Sequence, residues 1–201
     1  MWQILESLEN SGFATWMHEA PTWMKYSTVL ALHTFGMAFL VGFSGMIALR
    51  VLGFAPGLPL APLEKFFRLI MIGFWVNATT GVVLFTLYGT RFAVNPDFYL
   101  KLLFIACAMV SWQLLRTSVF GNPAGPDTRP IPAKSKILAG ALLTLWTLAI
   151  LAGRLTAYPF FIEWRTAVAV LSVTGVMLVV RYAVAQYIVP RLKQVTTSTD
   201  Y

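Results

Sequence analysis

The chain has 201 residues, 58% of them hydrophobic and 11% charged, where an ordinary soluble domain carries roughly 25% charged residues. With a mean hydropathy of +0.70, a water-soluble globule and intrinsic disorder are both excluded. The single cysteine, Cys107, excludes an intrachain disulfide framework and any multi-cysteine zinc or iron–sulfur site.

The net charge of +7 would suggest nucleic acid in a soluble protein. Here the basic residues stand at the ends of apolar runs, where they set topology, so the expected partner is a lipid bilayer and not nucleic acid. Residues 1–24 hold no Lys or Arg, and Glu6 and Glu9 interrupt what would be the apolar core of a secretory signal, so no cleaved peptide is expected. Trp2, Leu5, Leu8, Phe13 and Trp16 recur at near-helical spacing, which predicts an N-terminal interfacial helix before Pro21 turns the chain inward.

Five runs follow, each near the length of helix that crosses about 30 Å of hydrocarbon. The first, about 26–50, is uncharged from Ser27 to Leu49 and bounded by Lys25 and Arg50. The second, 67–90, opens after Lys65 and Arg68 and closes at Gly89 and Arg91. The third, 98–120, carries Lys101 and Arg116 near its ends, where long side chains can reach the headgroups. Residues 121–132 (GNPAGPDTRPIP) contain four prolines and two glycines and read as a linker. The fourth and fifth spans are 135–155 and 165–189. The expected fold is an all-α membrane protein, with 1–201 forming one integral membrane domain of five transmembrane helices in a single bundle.

Five spans put the termini on opposite sides. Lys25, Arg91, Lys101, Arg154 and Arg165 mark one side with five of the 15 basic residues; the other ten, among them Arg50, Lys65, Arg68, Lys134 and Lys136, mark the opposite side. Cytoplasmic segments hold the excess, so the expected orientation is N-terminus outside and C-terminus inside, with 121–132 cytoplasmic.

Within the first span, Ser27, Ala31, Thr34, Ala38, Gly42 and Gly45 form a helical stripe of small residues and predict a packing seam. Gly73, Asn77, Thr80 and Gly81 offer a counterpart on the second span, with Asn77 able to bond across to a neighbour. His33 is the one histidine inside a span, and an ionisable group in a bilayer is a functional candidate. A helical wheel places it beside Tyr26, Met37 and Ser44. Two readings stand: a neutral imidazole hydrogen-bonded as packing, or a ligand and proton acceptor in an outward-facing pocket. In the second reading His33 is the metal or haem ligand, with Met37 and Tyr26 beside it. Lys101, Arg154 and Tyr158, at the same outer level, then hold carboxylates such as haem propionates, or polar headgroups.

Two histidines cannot supply the four imidazoles of a di-haem b cytochrome. No phosphate-cradling glycine loop, HExxH, GxSxG or CxxC is present, and the acidic residues all fall outside the span cores, which argues against hydrolase, nucleotide-driven and carboxylate-based pump mechanisms.

The run ALHTFGMAFLVG from Ala31 to Gly42 is followed by Arg50, Leu52 and Gly53, then by Asn95, Pro96, Phe98 and Lys101, and after the fourth span by Gly153, Arg154, Ala157 and Tyr158. On these residues most of the chain resembles a family of uncharacterised bacterial inner-membrane proteins, itself loosely similar to copper-resistance D-like membrane domains. In that family an acidic residue often precedes the span histidine by three positions, and a further histidine can follow the third span; this chain has Leu30 and WQLLRTS there. The resemblance implies a bacterial plasma-membrane location and redox or copper handling. The expectation is therefore an inner-membrane subunit without independent catalysis. It associates with another membrane protein or a periplasmic redox or metal-handling partner, and carries one haem b, a quinone or copper near His33. A copper or small-solute permease and a purely structural assembly subunit are the alternatives.

Overall fold

The computed structural model describes residues 2–19, 26–121, 125–127 and 130–156. Among them there are helices and connecting turns and no strand: α1 (Trp2–Glu9), α2 (Gly12–Glu19), α3 (Tyr26–Val51), a 3₁₀ helix (Ala61–Phe66) running into α4 (Phe67–Ala93), α5 (Pro96–Phe120) and α6 (Ala133–Leu155). Four of these segments, α3, the 3₁₀–α4 unit, α5 and α6, are long and apolar enough to cross a membrane. They coincide with the first four predicted spans to within a few residues; the fifth, 165–189, lies outside the described residues. Large apolar side chains face outward along them, with Phe35 at 63%, Trp75 at 61% and Ile137 at 72% exposure. Such a surface suits hydrocarbon and would be a liability in water.

Local chemistry sets the helix ends. Gly53 adopts a φ of +101°, which places it in the left-handed region that glycine enters without a Cβ clash. It closes α3 in a Schellman turn: Phe54 N–H donates to the Leu49 carbonyl and Gly53 N–H to that of Arg50. Asn95 caps α5 by accepting the Asp97 N–H at 2.9 Å, and Pro96 supplies the first helical residue.

The helices pair as α3 with α4 and α5 with α6, and α3 joins the pairs through α6. The α3–α4 seam is close enough for backbone contact. A Cβ built on Gly36 would lie 2.7 Å from Asn77 N and 2.9 Å from Gly73 O, and one on Gly73 would lie 2.8 Å from both Gly36 O and Leu40 N. Gly73, Asn77, Thr80 and Gly81 do face α3, as the sequence suggests. The predicted stripe on α3 does not form this seam. Ser27, Ala31, Thr34, Ala38 and Gly42 are exposed, nothing lies within 4 Å of a Cβ on Gly42, and the sixth member, Gly45, is buried against Leu143 of α6 and not against α4. The buried row is instead His33, Gly36, Leu40, Ser44, Ile47 and Val51. Both rows follow helical spacing; the second wins because it combines one close-approach glycine with large apolar side chains that fill the core.

Aromatic rings span the wider gap between α4 and α5. Phe98 stacks on Phe85 at 5.6 Å and on Phe92 at 5.4 Å near one end. Phe67 meets Trp112 at 5.4 Å and Phe120 at 4.9 Å edge-on near the other. In the buried centre Trp146 Nε1 donates to Ser44 Oγ at 3.1 Å, and Ser44 Oγ donates to the Leu40 carbonyl at 2.6 Å, so neither polar group is left unsatisfied. Ser118 and Ser135 join α5 to α6 at 2.7 Å.

The N-terminal segment is two short helices, not one. The chain breaks at Asn10 and Ser11, whose hydroxyl accepts the Ala14 N–H at 3.3 Å and so starts α2. Leu5 is buried and lies against Gly89, while Ala14 and Met17 pack with Leu87. Tyr88 has non-helical backbone angles (φ −142°, ψ 34°) inside α4, which interrupts the helical hydrogen-bond ladder. Glu9 repairs it from outside: its carboxylate accepts the Thr90 N–H at 2.8 Å and the Thr90 hydroxyl at 2.8 and 2.9 Å.

Candidate functional site

His33 sits on the inward face of α3, two turns from its start, and is only 8% exposed. Its Nδ1 lies 3.0 Å from Thr80 Oγ1. Thr80 Oγ1 also lies 2.5 Å from the Val76 carbonyl and 3.1 Å from that of Asn77. A hydroxyl has one proton, and the short contact between two oxygens requires it, so Thr80 donates to the carbonyl and accepts from His33. That assigns the neutral imidazole its proton on Nδ1 and leaves the lone pair on Nε2. One turn earlier on α4, Asn77 Nδ2 donates to the His33 carbonyl at 2.8 Å. A Cβ on Gly81 would stand 3.3 Å from His33 Cε1, so the glycine makes room for the ring.

From α5, Lys101 reaches the same region. Its stem runs along Gly153 of α6, with Cδ 3.4 Å and Nζ 3.7 Å from where a Cβ on that glycine would be. Its ammonium lies near enough to His33 for the two groups to interact electrostatically. Beside them Met37, Leu40, Asn77, Lys101, Ile105, Trp146, Ala149 and Ile150 line a cavity of about 10 Å³, the room of a single water. Asp97, one turn before Lys101, keeps Oδ2 buried without a hydrogen-bond partner among the described residues.

The sequence-predicted site residues therefore separate. His33, Met37 and Lys101 converge on one region of the bundle. Arg154 follows the glycine that Lys101 crosses but is itself exposed. Tyr26 stands elsewhere: it packs edge-on against Tyr88 at 5.4 Å, with His18 on the same ring at 5.9 Å. The wheel aligned Tyr26 with His33 by angle, but the seven-residue step between them separates the two by about 10 Å along the axis. Tyr158 lies outside the described residues.

Comparisons with family models, curated proteins and solved structures find no match. Among the described residues a haem or quinone does not fit the space left at His33, because α3 and α4 touch through their backbones and the adjoining void has the room of one water. A bare metal ion on His33 would be opposed by the charge of the Lys101 ammonium, which acts on the same ring. Among the described residues no three His, Cys, Asp or Glu side chains gather as a metal-ligand group.

Thr80, Trp146 and Ser44 complete the polar interior; the sequence placed Thr80 on the packing face of the second span and Ser44 on the His33 side of the first, but gave no hydrogen-bond role to either and did not single out Trp146. Thr80 was legible because it lies three residues after Asn77, on the same helical face. Trp146 had none, because its partner Ser44 is 102 residues away.

Proposed function

We propose that the chain is a multi-pass subunit of the bacterial inner membrane, without catalysis of its own, that engages a membrane or periplasmic redox or metal-handling partner at its outer face. The observation that carries this reading is the use made of the polar side chains inside the bundle. His33, Asn77, Thr80, Ser44 and Trp146 bond helix to helix, and the void that described residues line beside them has the room of one water. Interior groups arranged in this way fix the relative position of helices. Surface features at the same pole support an outward partner: exposed Arg154, and the exposed aromatic row of α1 and α2, with Trp2 at 48%, Phe13 at 47% and Trp16 at 48%. The resemblance drawn from the sequence points the same way, toward a periplasmic redox or copper protein.

Gentle detergent extraction of a tagged chain, followed by identification of what co-purifies and a visible spectrum with and without dithionite, tests the proposal. A stoichiometric partner is expected, lost in Arg154→Glu or when α1 and α2 are deleted. A chain that purifies alone and monodisperse removes the subunit reading. A Soret band that disappears in His33→Ala would instead establish a haem that the bundle opens to receive.

A further inference from the structure

At the pole opposite the α1–α2 pair, the basic residues do not all do the same thing. Arg50 bonds to the carbonyls of Leu58 and Pro56 and so folds the loop after α3. Arg116 lies over the Phe67 ring, 4.9 Å from its centroid. Lys65 and Arg68 differ: both are exposed, they stand one turn apart, and with Glu64 they line an open cavity of about 370 Å³.

The 3₁₀–α4 segment is 33 residues long, against about 20 needed to cross the hydrocarbon. Its first turns, which carry Glu64, Lys65 and Arg68, therefore emerge at headgroup level. Two cations and one carboxylate give the cavity a formal charge of +1. Arginine and lysine at such a level bind phosphate by charge-assisted hydrogen bonds, while Glu64 offers an acceptor to a neighbouring hydroxyl. We propose that this cavity is a binding site for the headgroup of a singly charged anionic phospholipid of the phosphoglycerol type, its phosphate on Lys65 and Arg68 and its glycerol hydroxyl on Glu64. The proposal rests on the bilayer reading of the chain and is independent of any protein partner.

The test reconstitutes the full-length chain into vesicles of phosphatidylcholine alone or mixed with phosphatidylglycerol, re-extracts it in mild detergent and counts retained lipids by native mass spectrometry. The wild type is expected to retain phosphatidylglycerol over phosphatidylcholine by about tenfold, and Lys65→Gln/Arg68→Gln to lose that preference. Lys134→Gln/Lys136→Gln, which removes equal charge from the start of α6, should keep it. The same preference in the Lys65/Arg68 double variant, or equal loss in the Lys134/Lys136 one, overturns the site. Displacement of the lipid by millimolar inorganic phosphate overturns the headgroup assignment in favour of free phosphate. A chain that enters neither vesicle overturns the bilayer reading and this site with it.

Discussion

Replacing Gly36 by alanine tests the α3–α4 seam most directly. The new Cβ would sit 2.7 Å from Asn77 N and 2.9 Å from Gly73 O, whereas an ordinary carbon contact needs about 3.5 Å. Both obstacles are backbone, so no rotamer relieves them and the helices must move apart by roughly 0.8 Å. Overpacking of this kind costs about 1–3 kcal/mol. Separation also stretches the His33–Thr80 bond (3.0 Å) and the Asn77–His33 bond (2.8 Å), each worth about 0.6 kcal/mol between membrane helices. Alanine restores about 1 kcal/mol of helix propensity relative to glycine. The expected net loss is about 1–3 kcal/mol, read from unfolding by sodium dodecyl sulfate in mixed micelles. Gly42→Ala is the internal control: it has the same chemistry on the same helix with open space around the Cβ, so it should be neutral or stabilising by up to about 1 kcal/mol. Equal stability of the two variants would refute the claim that α3 and α4 touch through their backbones.

Removing the Glu9 carboxylate with Glu9→Ala should cost about 1.5–3 kcal/mol, the range for hydrogen bonds to a charged group, and should speed amide exchange at Thr90, measurable by mass spectrometry. Asp127 accepts N–H bonds from Leu60 at 2.8 and 3.1 Å and from Ala61 at 3.0 Å. The Leu60 and then the Ala61 N–H, with a smaller contribution from Arg50, hold its carboxyl below the ordinary aspartate value. A lowered folded-state value means that this stabilisation is complete above the unfolded pKa of about 3.9 and is lost as pH falls through the folded value. The Tm gap between wild type and Asp127→Asn should therefore stay constant from neutral pH to about 5 and close below about 4; a gap that persists in acid would refute the clamp. Solid-state ¹⁵N spectra should show His33 protonated on Nδ1, with Thr80→Val moving population to the Nε2 tautomer; an unchanged distribution would refute the proton assignment.

The sequence makes the four described spans legible because their physical requirement, a run of apolar residues long enough for hydrocarbon, is local. Asn95 and Pro96 mark the start of α5 for the same reason, and Gly53 the end of α3. The face of α3 was harder to read. Small residues at helical spacing satisfy the arithmetic of a seam on either side, and only the location of Gly73 on the partner decides that Gly36 faces it. Contacts between distant segments left no trace in composition: Glu9 meets Thr90 across 81 residues and Asp127 meets Leu60 across 67. Glu9 looked like an interruption in an apolar stretch because the broken ladder at Tyr88 that it mends cannot be seen from the N-terminus. His33 and Lys101 were recognisable as ionisable groups within spans, but their common neighbourhood depends on Gly153 giving the lysine stem a path.

Two helix seams of the bundle are built from different materials. Main chain lies against main chain where α3 meets α4, and a displacement there meets hard repulsion at once. Between α4 and α5 the contact is made instead by stacked and edge-on phenyl and indole rings. The α3–α4 pair therefore has no slack for closer approach at Gly36 and Gly73.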